Sequence, residues 1–203
     1  MAASAIAALL SVAASFPAAF ALARSAAARA LSQGFLVLAS LPVMAYVIPL
    51  SDLSRRLHIL NTFAGLTLTQ AAVTAPLAVF VLHGAVTQLP SDWEDAALLD
   101  GAGLLRVLVR VVLPLLAPSV AATFIVMFVL DWNMLLVPLV LTSGDIKTVA
   151  VGMSDFFTFE RELDWPTAAA ALVVSVAPLA ILVGLFHRLL ERFALPGVAQ
   201  DIG

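Results

Sequence analysis

From Met1 to Ala23 the chain carries no charged side chain, and comparable apolar runs recur at about 34–51, 62–84, 111–130 and 166–187. About 20 apolar residues in a helix cross a hydrocarbon core of about 30 Å. The five runs therefore predict an all-α polytopic membrane protein, a helical bundle of about five transmembrane helices. Composition leads the same way. Of 203 residues, 63% are hydrophobic and only 11% are charged. A soluble domain of this size leaves roughly a third of its unfolded surface wet and cannot hide so much apolar area.

Proline punctuates the runs. Pro42 and Pro49 predict a kinked second helix, which neighbouring helices in a membrane tolerate. Pro76 interrupts the third, and Pro166 suits the first turn of the fifth. The first run lacks the basic n-region of a signal peptide, and Arg24 and Arg29 follow it. That order predicts a spanning helix with its C-terminal end in the cytoplasm; a cleaved signal peptide is the alternative. Alternating the loops then places Arg24, Arg29, Arg106, Arg110, Arg188 and Arg192 inside. Arg55, Arg56, Lys147 and Arg161 fall outside, with an acidic outer loop at 142–165. The C-terminus is expected on the cytoplasmic side.

Several chemistries have no support. A net charge of −3 offers no basic stripe for nucleic acid. There is no cysteine for a disulfide, thiolate or Cys-ligated metal. His58, His83 and His187 are dispersed, so no metal site is expected. Lys147 is the only lysine and does not complete a Gly-x4-Gly-Lys phosphate loop. No catalytic constellation is readable, and no cofactor is expected on this chain.

Between the third and fourth runs lies WEDAALLDGAGLLRVLVRVVLPLLAP, residues 93–118. Pro90 breaks the preceding helix. Ser91 is expected as an N-cap, with Glu94 completing a capping box. Asp92, Glu94 and Asp95 suit the positive end of the new helix. Ala96 and Ala97 keep its surface thin, and Gly101 and Gly103 turn it. Arg106 and Arg110 share a face toward water or headgroups. One reading is an amphipathic helix lying on the membrane; the other is a handle for a soluble partner.

This segment resembles the cytoplasmic loop of binding-protein-dependent ABC importer permeases. Their pattern is Glu-Ala-Ala, three residues, Gly, nine residues, Ile, one residue, Leu-Pro. Here it reads Asp95-Ala96-Ala97, Gly101, Val111 and Leu113-Pro114, with every spacing kept. Asp95 stands for Glu and Val111 for Ile; the shorter Asp reaches less far toward a partner. Phe20 to Arg24, Leu60-Asn61-Thr62, Trp132-Asn133 with Pro138, and Val151-Gly152-Met153 with Trp165 resemble stretches of the carbohydrate, maltose-permease-like branch.

The resemblance implies a single type I importer permease domain over 1–203, with its coupling-helix loop at about 90–112. Against the usual six-helix pattern, the first helix is expected to be lacking. The implied partners are two copies of an ABC ATPase subunit, a second permease subunit, an extracytoplasmic substrate-binding protein and the lipid bilayer. ATP and Mg2+ would sit on the ATPase. Asp95, Ala96, Ala97 and Gly101, with Glu94 and Asp100, are the expected ATPase contact; Val111, Leu113 and Pro114 are structural members of the motif. The implied function is sugar or polyol import by alternating access. The alternative is a truncated permease acting as a structural or regulatory subunit.

Asp131, Trp132, Asn133, Phe157 and Trp165 are candidates for contact with substrate or binding protein. If the fourth helix starts near Val112, Asp131 lies about 19 residues on, roughly 28 Å, near the outer interface. It is then expected as an interfacial cap or anchor rather than a ligand. Trp132 and Trp165 are expected first as interfacial belt residues, and secondarily as stacking residues for a sugar.

Overall fold

The computed structural model describes residues 1–25, 28–143, 146–154, 166, 169–182 and 184. Among the described residues all regular structure is helical. Two helices are long and apolar enough to cross a bilayer alone: α1, Ala2–Ala23, and, later in the chain, Phe63–Thr87. Both carry an internal proline, Pro17 and Pro76, without breaking. Two bent helix pairs would each make one more span.

The first pair corrects the expectation of one kinked helix at 34–51. The chain instead forms α2, Ala28–Ala39, and α3, Val43–Arg56. Pro42 is extended, with φ −63° and ψ 135°, and lacks the N–H that would continue the ladder. The residue before a proline also avoids the helical region. Ser40 Oγ bonds back to the Leu36 carbonyl at 2.8 Å and helps close α2. After α4, Phe63–Thr87, comes α5, Asp92–Leu99.

The second pair corrects the start of the fourth span. α6, Leu104–Val107, runs into a π-helical turn at Leu108–Val112 and then α7, Leu113–Leu115. The axis bends by 80° before α8, Ala117–Asn133. Pro114 and Pro118 cannot donate to the carbonyls of Arg110 and Pro114, so the α ladder fails there. The straight apolar helix thus begins at Ala117 rather than near Val111. α9, Leu136–Leu141, and α10, Val149–Ser154, follow. Of the fifth run the structure describes chiefly the apolar helix Ala169–Leu182.

The chain packs as two units. One comprises Met1–Ala7, Pro42–Gln70 and Phe128–Gly203. In it α3 packs on α9, with Val47, Leu66, Val137 and Leu141 buried. The turn between α3 and α4 is held tightly. Asn61 takes the left-handed conformation, φ 55°, and its N–H donates to the Leu141 carbonyl at 2.9 Å. Its Oδ1 accepts from the Ser143 N–H at 2.9 Å. A short polar side chain is what tolerates that backbone region.

The other unit comprises Ala8–Leu41 and Ala71–Met127. There α1 buries Ala8, Ser11, Val12, Ser15, Phe16, Ala19 and Phe20, three and four apart along one face. Small side chains let helices approach closely in a membrane. Ser15 Oγ donates to the Ala75 carbonyl of α4 at 3.2 Å.

Candidate functional site

The site is α5 and its flanks, all within the second unit. Three acids, Asp92, Glu94 and Asp95, fill the first turn, where backbone N–H groups are unpaired and the helix dipole favours negative charge. The expected capping box does not form. Ser91 lies in the helical region, with φ −67° and ψ −19°, and its side chain makes no cap bond. Its carbonyl instead accepts from the N–H groups of Glu94 and Asp95, at 2.9 and 3.0 Å.

Glu94 turns to Arg24 instead. Arg24 Nε donates to Oε2 at 3.0 Å and Nη2 to Oε1 at 2.5 Å. The same Nη2 donates to the Leu89 carbonyl at 3.2 Å. Glu94 is buried, at 6% exposed. Hydrogen bonding to Glu94 raises the Arg24 guanidinium further above its usual value, outweighing the opposing effect of burial. Sequence reasoning named both residues separately but missed their pairing. The available signal was opposite charge expected on one side of the membrane.

The far end of α5 closes as a Schellman motif. Gly101, φ +79°, donates to the Leu98 carbonyl at 3.0 Å, and Ala102 to that of Ala97 at 3.0 Å. A side chain at Gly101 would meet nothing within 4 Å, so conformation rather than space demands glycine. Asp95, Ala96, Asp100 and Gly101 are exposed, and Ala97 is half-buried. Val111 and Leu113 are half-buried, and Pro114 is exposed. Sequence reasoning passed over the apolar members of this surface. Trp93, Leu98, Leu99, Leu104 and Leu105 are all exposed, Leu99 at 89%. Exposed apolar side chains set beside the polar residues of α5 can serve a contact, and the residue types alone could have raised this.

The second group of candidates is less exposed than expected. Asp131 lies 1% exposed on α8, and neither carboxylate oxygen has a hydrogen-bond partner. Asp131 does lie near the end of α8, two residues before Asn133, but its buried, unpartnered carboxylate caps no backbone group, in contrast to the expected cap. Trp132 is buried rather than belted at a lipid boundary. Its ring stacks on Phe128 with centroids 5.8 Å apart, and Nε1 donates to the Ser175 carbonyl at 3.1 Å. Asn133 is exposed and donates to the Val129 carbonyl at 2.8 Å. Phe157 and Trp165 lie outside the described residues.

Residues 4–195 match the family model of the binding-protein-dependent transport system inner membrane component. The chain is 33% identical over 154 residues to the sulfoquinovosyl glycerol transport system permease protein SmoH of Agrobacterium fabrum, covering 75% of this chain and 54% of that one. It is 35% identical over 149 residues to the diacetylchitobiose uptake system permease protein NgcG of Streptomyces coelicolor, 72% of this chain and 49% of that one. Over 129 residues it is 34% identical to the trehalose/maltose transport system permease protein MalG of Thermococcus litoralis, 63% and 46% of the two chains. The chain thus spans about half the length of these relatives. It also resembles the crystal structure of a bacterial ABC transporter involved in the import of the acidic polysaccharide alginate. The TM-score is 0.71 at 19% identity, over 91% of this chain and 70% of that one, which shows a shared fold.

Proposed function

The chain belongs to the binding-protein-dependent transport system inner membrane component family, and from that premise we propose that it is a permease subunit of an ATP-driven importer. Its cargo in this reading is a sugar, glycoside or related polyol, the class named for the three relatives. The chain itself is no ATPase. ATP and Mg2+ belong to a pair of partner ATPase subunits, each with a groove for one α5-like helix. A second permease and an extracytoplasmic binding protein complete the assembly. The C-terminus faces the cytoplasm, as the arginines flanking the spans favour.

The observation that carries the reading is the division of labour on α5. Glu94 is turned inward and paired, whereas Asp95, Ala96, Asp100 and Gly101 face out. Asp95 offers a carboxylate to a basic partner group. Ala96 and Ala97 admit a close approach, and Gly101 ends the helix where the chain must turn. Val111, Leu113 and Pro114 shape the return into the membrane. Closure of the ATPases moves this helix and shifts the spans between two access states. Asp131, whose oxygens are uncommitted but buried in this state, is a candidate for contact with sugar hydroxyls; Trp132 and Asn133 flank it. Phe157 and Trp165 are assigned to contact with the binding protein or substrate.

The test is uptake of radiolabelled disaccharides by cells carrying the full transporter. Asp95→Ala combined with Gly101→Pro is expected to abolish uptake while the protein remains in the membrane. Unimpaired uptake would overturn the proposal.

A further inference from the structure

We propose that Arg24 transmits the movement of α5 to the membrane helices, acting as a positioning residue through which the handle pulls on α1 and α4. The proposal rests on the transport reading above and specifies how its force is carried.

One guanidinium joins three elements. Arg24 directly follows the last residue of α1. Its Nε and Nη2 grip both oxygens of Glu94 in the first turn of α5. Nη2 also holds the Leu89 carbonyl, two residues beyond the end of α4. The planar fork of arginine fixes direction as well as distance, which a single lysine ammonium does not. Among the described residues the other ion pair, Arg56–Asp52, is exposed and joins neighbours within one helix. The Arg24–Glu94 pair instead bridges 70 residues and is largely withdrawn from water on the acid's side. Such a pair resists separation more than an exposed one.

The acids of the first turn also divide in direction. Asp92 and Asp95 are exposed, whereas Glu94 points back into the unit. A partner gripping the outer face therefore leaves the inner tie intact, and the two faces form a link in series. α5 also packs on α6 and the π-helical turn. Arg24 is thus, among the described residues, a charged tie that connects α5 to helices preceding it in the chain.

The absence of native cysteine makes single-cysteine reporters clean. Leu99→Cys reports on α5, where Leu99 is 89% exposed. Ala122→Cys reports on the membrane helices, from the wall of a cleft of about 480 Å³ also lined by Gly84 and Ser119. The complex is purified with its ATPases and second permease and placed in lipid vesicles. N-ethylmaleimide labelling is then followed with and without ATP plus vanadate.

With Arg24 in place, both labelling rates are expected to shift with nucleotide. With Arg24→Ala, the Leu99→Cys shift is expected to persist, while the Ala122→Cys shift falls about tenfold, within the usual range of coupling between sites. Exchanging the charges, Arg24→Glu with Glu94→Arg, is expected to restore part of it. Equal Ala122→Cys shifts with and without Arg24 overturn the proposal. Loss of both shifts in Arg24→Ala also overturns it, because Arg24 then only seats the handle. Absence of both shifts with Arg24 present refutes the transport reading itself, and this proposal with it. Where Arg24→Ala does not reach the membrane, Arg24→Lys, which keeps the charge without the fork, is read by the same outcomes.

Discussion

Gln70 donates from Nε2 to the backbone carbonyl of Asp131 at 3.1 Å, and both residues are sealed from solvent, at 0% and 1% exposed. The acceptor lies in the last turn of α8, where carbonyls lack the i+4 donor; the Met134 N–H reaches it only at 3.4 Å. An amide on α4 therefore does for the end of α8 what water would do in a soluble protein. In lipid no water replaces it. Gln70→Leu, which keeps much of the volume, is expected to cost about 1 kcal/mol, because the carbonyl keeps only the long bond from the Met134 N–H. Thermal unfolding in detergent micelles should show a lower midpoint. An unchanged midpoint would mean that the carbonyl finds another donor.

The side chain of Asp131 presents the opposite case. Its two oxygens are buried and without a hydrogen-bond partner, a condition that costs stability. Asp131→Leu is expected to stabilise the protein by about 1–3 kcal/mol. Its uptake of disaccharide is expected to fall, because an intramembrane acid kept at such cost points to a use. A lower unfolding midpoint in Asp131→Leu would show that the carboxylate is structural.

Asp131 also shows what the sequence made legible. α1 and α4 followed directly from apolar runs free of Asp, Glu, Lys and Arg, despite Pro17 and Pro76. α5 followed from Pro90, the three acids and Gly101, because caps and turns are local chemistry. The broken pairs did not follow. A proline in a membrane helix kinks or ends it depending on what its neighbours supply, and Pro42, Pro114 and Pro118 all sit at or beside breaks. The later start of α8 leaves Asp131 about 14 residues into the helix instead of about 19, still in its last turn; its burial came from packing that the sequence pattern does not encode. For the Arg24–Glu94 tie the sequence offered only opposite charge on one expected side: its partners are 70 residues apart, and no periodicity encodes their meeting.

The turn before α4 offers a steric test. A methyl group at Gly65 would stand 2.0 Å from the Ile59 carbonyl oxygen, well inside contact distance and against backbone rather than a flexible side chain. That carbonyl is also held by the Thr62 hydroxyl at 2.6 Å. Gly65→Ala is therefore expected to cost about 2–3 kcal/mol or more and to lower the unfolding midpoint. Gly34→Ala, where a methyl group meets nothing within 4 Å, is the control and should not lower it.

Gly101 separates conformation from space. Its left-handed backbone penalises any β-carbon, yet the surroundings are open. Gly101→Ala should cost about 1–2 kcal/mol, whereas Gly101→Asn should cost less, since asparagine tolerates this region. Chemical unfolding of the two variants would rank them. The reverse order would refute the backbone explanation.

Ala96 gives the sharpest separation of folding from partnership. It is exposed on α5, and leucine is as good a helix former as the site needs, so Ala96→Leu should leave stability within about 0.5 kcal/mol. The added side chain, however, projects from the face assigned to the ATPase groove, where only a small residue admits close approach. Co-purification of the ATPase with Ala96→Leu permease should fall sharply, and uptake with it, while the unfolding midpoint stays put. Ala96→Ser, nearly isosteric, should retain both. If Ala96→Leu binds and transports as well as alanine, the groove lies elsewhere, and the exposed leucines Leu98, Leu99, Leu104 and Leu105 become the surface to substitute next.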